Sequence, residues 1–84
     1  MPMASNDVEE KVLGILQRVA KLEPGFSAQA DIFRELGVKS AAALDLLLSL
    51  EEDFGITISD DAFAEARTAE KIIALVNGLK GVAA

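Results

Sequence analysis

Apolar residues recur at the spacing of an α-helix in three stretches of this chain, and glycine or proline follows or closes each stretch. The first predicted helix runs from about Asp7 to Leu22 and ends at Pro24-Gly25. Asn6 is its predicted N-cap, with Glu9 as the acidic residue of a capping box. A chain with this pattern buries its apolar side chains by packing helices against one another.

The other helices are predicted from the same kinds of signal. A second helix runs from Ser40 to Phe54 and stops at Gly55. Ser59 or Asp60 caps a short third helix that reaches about Ala66. Thr68 caps the last helix, whose apolar set is Ile72, Ile73, Leu75, Val76 and Leu79.

Residues 26–38 form a long connection after the first helix, and this connection is predicted to pack. Its apolar side chains are Phe26, Ile32, Phe33 and Leu36. Asp31 to Leu36 is expected to form one helical turn, closed by Gly37. We therefore predict an all-α, four-helix bundle with a long loop after helix 1. Residues 1–84 form a single domain, frayed at 1–5 and 81–84.

The residue inventory limits the chemistry available to the chain. It has no cysteine and no histidine, which excludes disulfides, thiol nucleophiles and Cys/His metal sites. Hydrophobic residues make up 51% of the chain, but only 5% are aromatic, so the core is aliphatic. A domain of this size buries too little surface to form both a stable core and a deep catalytic cleft. We expect no enzyme and no metal site.

Neither a targeting segment nor a membrane span is evident. Met1 to Glu10 is polar and acidic, unlike a signal peptide. The longest apolar stretch, Ala41 to Leu50, is interrupted by Asp45 and Ser49 and is too short to cross a bilayer. We predict a cytoplasmic, monomeric protein.

One segment carries more than the whole net negative charge of the chain. The net charge is -6, whereas residues 40–66 alone carry seven acids and no base, giving -7. Such an acidic chain is not suited to nucleic acid or to anionic membranes. The acidic segment instead predicts a partner with a basic docking patch.

The second predicted helix has two apolar faces. At about 100° per residue, Ala43, Leu46, Leu47, Leu50 and Phe54 share one broad core stripe. Leu44 and Leu48 lie off that stripe, on the face that begins with Ser40. Carboxylates flank them. The second face is either covered by the loop or the last helix, or it is a docking surface with an acidic rim.

Ser40 stands at the head of this helix and has two interpretations. Serine at a helix start is most often an N-cap. A modified serine also makes physical sense there, because free backbone N–H groups and the positive end of the helix dipole favour a phosphodiester.

The sequence from Leu36 to Ser40 (LGVKS), followed by Leu44 to Ile58 (LDLLLSLEEDFGITI), resembles acyl carrier proteins. That family shows Leu-Gly-x-Asp-Ser-Leu, then an apolar and acidic helix, then Leu-Glu-Glu-x-Phe-Gly-x-x-Ile. The register needs no gap, and the resemblance extends over nearly the whole chain. It implies the four-helix fold predicted above.

By this resemblance, Ser40 is where a phosphopantetheinyl transferase attaches 4′-phosphopantetheine from coenzyme A, making a phosphoprotein. The arm then presents acyl groups as thioesters to enzymes of fatty-acid or related lipid biosynthesis. The resemblance also implies that the second helix docks on basic patches of those enzymes. The corresponding positions are Ala41, Leu44, Asp45, Leu48, Glu51 and Glu52.

The chain departs from the family pattern beside the serine. Lys39 replaces the usual aspartate and reverses its charge, and Ala41 replaces a leucine that serves as a docking contact. An acid is also lost at Ala42. These departures indicate a specialised carrier. One hypothesis is that Lys39 pairs with the phosphodiester at the base of the arm.

Three other functions remain open from the sequence. The first is a carrier of aminoacyl or peptidyl groups. The second is an unmodified acidic module for protein interactions. The third is an enzyme or metal protein, in which Glu51-Glu52-Asp53 or Asp60-Asp61 holds a hard cation loosely. The spacing of an EF-hand is missing, so solvated acidic faces are the better explanation of these carboxylates. The sequence identifies neither the acyl cargo nor the partner enzymes.

Overall fold

The computed structural model of the chain describes residues 3–80, and it describes side chains from Asp7 onward. Within that range the chain forms four α-helices: α1 (Met3–Val19), α2 (Ser40–Phe54), α3 (Asp60–Glu65) and α4 (Ala69–Lys80). Helix α1 packs against both α2 and α4. The all-α bundle with a long loop after α1 is confirmed. Fraying was predicted for residues 1–5 and 81–84. Residues 3–5 belong to α1, whereas residues 1–2 and 81–84 lie outside the described residues.

The predicted ends of α1 are wrong, because the helix begins at Met3 and ends at Val19. Asn6 therefore lies inside the helix and is not its N-cap. Asparagine within a helix costs only a fraction of a kcal/mol, roughly 0.7 at most, so a capping pattern does not force a start. The helix ends early because Lys21 adopts a left-handed φ of 60°, an arrangement usually left to glycine.

The other helix limits agree closely with the prediction. Gly55 ends α2 in the left-handed conformation, with φ 64°. The Ser59 hydroxyl accepts a hydrogen bond from the Ala62 N–H (3.2 Å), and the Thr68 hydroxyl accepts one from the Lys71 N–H (3.1 Å). Both predicted caps are confirmed, although α3 ends one residue early, at Glu65.

One aliphatic core joins the helices to the long loop. Its fully buried large side chains are Val12, Ile15, Leu16, Ile32, Leu46, Leu50, Ile72 and Val76. Ile32 comes from the loop, and Phe26, Phe33 and Leu36 pack against the core half-buried. The connection is thus part of the folded domain, as predicted from its apolar residues.

The loop is attached to the α3–α4 junction by backbone hydrogen bonds. The Ile32 N–H donates to the Arg67 carbonyl (2.8 Å), and the Glu70 N–H donates to the Ala28 carbonyl (3.0 Å). The predicted turn at Asp31 is present, since the Glu35 N–H donates to the Asp31 carbonyl (2.8 Å). These bonds fix the segment that leads into Ser40.

Candidate functional site

Ser40 is the first residue of α2, and its side chain is exposed. The N-cap is Lys39, in an extended conformation (φ -80°, ψ 149°) and without a side-chain capping bond. The interpretation of Ser40 as an N-cap is therefore wrong. Within residues 7–80 the Ser40 hydroxyl has no hydrogen-bond partner, so it is available for chemistry.

The segment before Ser40 holds the serine in place without covering it. Gly37 has a positive φ of 76°, which turns the chain from the loop toward α2. The Val38 side chain is buried, and its N–H donates to the Ile32 carbonyl (2.9 Å). The serine is thus presented at the surface from a well-anchored backbone.

An open groove of about 770 Å³ begins at Ser40 and runs between α2 and α3. We call it the Ser40 groove. Its lining is largely apolar, with charged side chains at its margins. The lining residues are Phe33, Val38, Lys39, Ser40, Ala43, Leu44, Leu47, Asp60, Phe63, Ala64 and Arg67. A volume of this size is in the range that takes a small organic group.

The second apolar face of α2 is exposed. Leu44 is 60% exposed and Leu48 is 47% exposed, whereas Leu46 and Leu50 are fully buried. Neither the loop nor α4 covers the two exposed leucines, so the interpretation that they are buried within the domain is wrong. Large exposed apolar side chains next to one another are typical of an interaction surface.

Of the three carboxylates that flank Leu44 and Leu48, two are exposed and one is engaged within the fold. Asp45 and Glu52 are exposed, as is Ala41 near the serine. Glu51 is half-buried, and its carboxylate accepts a hydrogen bond from the Ile58 N–H (2.9 Å). Glu51 therefore has a role in the fold that the sequence reading missed, because it holds the connection between α2 and α3.

A pair of charges joins the loop to the α3–α4 junction beside the groove. The Arg67 Nε donates to Asp31 Oδ2 (2.7 Å), and Nη2 donates to Oδ1 (3.3 Å). The guanidinium also lies 5.1 Å from the centre of the Phe33 ring. Arg67 hydrogen-bonding to Asp31, together with backbone N–H groups of Arg34 and Phe33, lowers the Asp31 pKa from 3.8 to about 2.

Sequence reading missed Arg67 as a groove residue, and no local signal identifies it. It lies 36 positions from Asp31, so only the tertiary fold brings the two together. Lys39, by contrast, was predicted beside the serine and does line the same groove. The contact of Lys39 with a phosphodiester stays a prediction.

Comparison with known proteins gives consistent matches. A family model described as the phosphopantetheine attachment site matches residues 10–76. The acyl carrier protein of Akkermansia muciniphila is 26% identical over 80 residues, covering 94% of this chain and 100% of that protein. Acyl carrier protein 2 of Ralstonia nicotianae is 30% identical over 78 residues, covering 92% and 96% respectively. A mitochondrial acyl carrier protein of Dictyostelium discoideum is 29% identical over 59 residues, covering 70% and 49%.

These matches, with the helical fold and the exposed serine, define a carrier domain that bears a phosphopantetheine arm. The chain belongs to the acyl carrier protein family, and its cofactor is covalently bound 4′-phosphopantetheine. The residues fit that group, because the Ser40 hydroxyl is exposed and unbonded at the mouth of a groove. No helix within residues 3–80 is both long and apolar enough to cross a membrane.

Proposed function

We propose that Ser40 is the residue that bears the 4′-phosphopantetheine arm and that the domain acts as a carrier without catalysing a reaction itself. The observation that carries the proposal is the exposed side chain of Ser40, the first residue of α2, whose hydroxyl has no hydrogen-bond partner among residues 7–80. A transferase needs this access to the nucleophilic oxygen. The arm supplies the thiol that holds acyl groups as thioesters, a group absent from a chain without cysteine.

The exposed face of α2 is proposed as the docking surface for the transferase and for acyl-handling enzymes. Leu44 and Leu48 supply apolar contact, and Ala41 lies nearest the serine. Asp45 and Glu52 provide an acidic rim that steers and orients a basic partner. Glu51 contributes charge to this rim, with one carboxylate oxygen held by the Ile58 N–H.

The proposed setting is fatty-acid or related lipid biosynthesis, in the cytoplasm and as a monomer. The named relatives, all acyl carrier proteins, support acyl rather than aminoacyl or peptidyl cargo. Lys39, at the mouth of the Ser40 groove, is proposed to pair with the phosphodiester at the base of the arm. Lys39 balances the negative charge of the phosphodiester, whereas residues 40–66 contain no basic residue that could do so.

The proposal is tested by treating the purified protein with coenzyme A and a broad-specificity phosphopantetheinyl transferase. Intact mass should show one added arm on the wild-type chain and none on Ser40→Ala. Ser49→Ala, which removes another hydroxyl of α2, is the matched control and should be modified normally. Modification of Ser40→Ala, or of no variant by any transferase, would contradict the assignment.

A further inference from the structure

The Ser40 groove is not lined by hydrocarbon alone. Its floor is apolar, formed by side chains such as Leu47 and Phe63, but Arg67 and Asp60 also line it. A saturated acyl chain would match the apolar floor only. The charged groups therefore bear on which cargo the groove accepts.

Arg67 is positioned at this groove by contacts with Asp31 and Phe33. Asp31 takes two of its N–H groups, at 2.7 and 3.3 Å, and one face of the guanidinium lies over Phe33 at 5.1 Å. A guanidinium has five N–H donors, so three remain without a partner among residues 7–80. The side chain is 43% exposed, so water can satisfy these donors while the groove is empty.

An acyl chain lying in the groove displaces that water. A saturated chain offers the remaining Arg67 donors no acceptor, and an unsatisfied donor removed from water is costly. A chain that carries an oxygen replaces the lost hydrogen bond. A site that offers hydrogen bonds discriminates against the analogue that cannot make them.

The charges around the groove indicate what kind of oxygen is accepted. Arg67 is already compensated by the Asp31 carboxylate, which lies 2.7 Å from its Nε. Asp60 adds a negative charge to the lining. Lys39 lies next to Ser40 and faces the phosphodiester under the proposed function. No uncompensated positive charge is left in the groove, which disfavours a carboxylate.

Resting on the proposed function, we infer that Arg67 is a specificity-determining residue and that the Ser40 groove prefers acyl chains with a neutral oxygen substituent, a hydroxyl or a keto group. Saturated chains bind there less well, and chains ending in a carboxylate are rejected. Arg67 contacts the cargo, while Asp31 and Phe33 position the guanidinium.

The test loads the full-length protein with acyl groups of equal length: saturated, hydroxylated or keto-substituted at successive positions, and carboxylate-terminated. Groove occupancy is read from NMR shifts of the Ala43 and Ala64 amides and of the Arg67 Nε–H. At least one neutral oxygenated chain should occupy the groove about fivefold more than the saturated chain, the effect of one ordinary hydrogen bond. Equal occupancy by the saturated chain would overturn the inference.

Variants separate the role of Arg67 from its effect on folding. Arg67→Met keeps an unbranched side chain of similar length and should abolish the preference, whereas Arg34→Met, at an exposed arginine outside the groove, should retain it. Arg67→Lys serves as a second variant if Arg67→Met does not fold, and it should weaken the preference. Asp31→Asn removes the counter-charge and should admit the carboxylate-terminated chain.

The outcomes distinguish the two proposals. A chain that cannot be loaded at Ser40 would overturn the proposed function and this inference together. Normal loading with an unchanged preference in Arg67→Met would overturn this inference alone, as would preference of the wild-type groove for the carboxylate-terminated chain.

Discussion

Truncating leucines on the two faces of α2 should separate folding from docking. Leu46 is fully buried, so Leu46→Ala should lower the free energy of unfolding by about 2–5 kcal/mol. Leu44 is 60% exposed, so less than half of its surface is removed from water by folding. Full burial of a leucine stabilises by about 1.5–3 kcal/mol, so Leu44→Ala should cost about 1 kcal/mol or less.

The rate of arm transfer should be affected in the opposite order, with a larger loss in Leu44→Ala than in Leu46→Ala. If Leu44 contacts the transferase, Leu44→Ala should lower kcat/KM for arm transfer about tenfold, equivalent to roughly 1.4 kcal/mol of lost contact. Leu46→Ala should lower it far less at a temperature where that variant is folded. A tenfold change in the exposed variant with little loss of stability is the expected signature of docking.

Stability is measured by urea denaturation followed by circular dichroism at a helical wavelength, since the chain has no tryptophan to report by fluorescence. Modification is followed by intact mass over time. If Leu44→Ala loses as much stability as Leu46→Ala, the second face of α2 is part of the core. If its modification rate is unchanged, Leu44 makes no contact with that transferase.

Three further predictions concern single residues. Gly14→Ala should raise the free energy of unfolding by about 0.5–1 kcal/mol, because alanine favours the helix and its Cβ would meet no atom within 4 Å. A lower urea midpoint than that of wild type would contradict this. Asp31, with its pKa lowered to about 2, stabilises the fold fully above its ordinary value of 3.8 and loses this effect as the pH falls through about 2. Asp31→Asn should therefore lose less stability than wild type over that window in urea titrations, and an equal loss would argue against the Arg67 pair. Lys39→Asp restores the acid that the family pattern has before the serine, so it should speed arm transfer by a broad-specificity transferase in a mass-based time course. An unchanged rate would show that Lys39 has no influence on arm transfer.

The limits of α2 were predictable because the chain marks them locally. Gly55 ends α2 with a positive φ, and Gly37 does the same for the turn of the loop that precedes α2. Ser59 and Thr68 likewise mark the starts of α3 and α4, because their hydroxyls accept hydrogen bonds from backbone N–H groups of the first turn. Such signals act over three or four residues and need no tertiary contact.

The ends of α1 and the groove margin were not predictable for the opposite reason. Lys21 adopts the left-handed conformation without being glycine, so the sequence gives no warning that α1 ends there. The pairing of Asp31 with Arg67 joins the loop to the α3–α4 junction across 36 positions. Helical periodicity placed Leu44 and Leu48 off the core stripe, but only the packing decides that they are exposed.

The most direct measurement is peptide mapping by mass spectrometry of the protein purified from the cells that make it. The peptide containing Ser40 should carry phosphopantetheine, and gentle handling should preserve an acyl thioester on part of the material. A Ser40 peptide that is wholly unmodified, or an arm found on Ser49 or Ser59 instead, would contradict the assignment of Ser40 as the point of attachment.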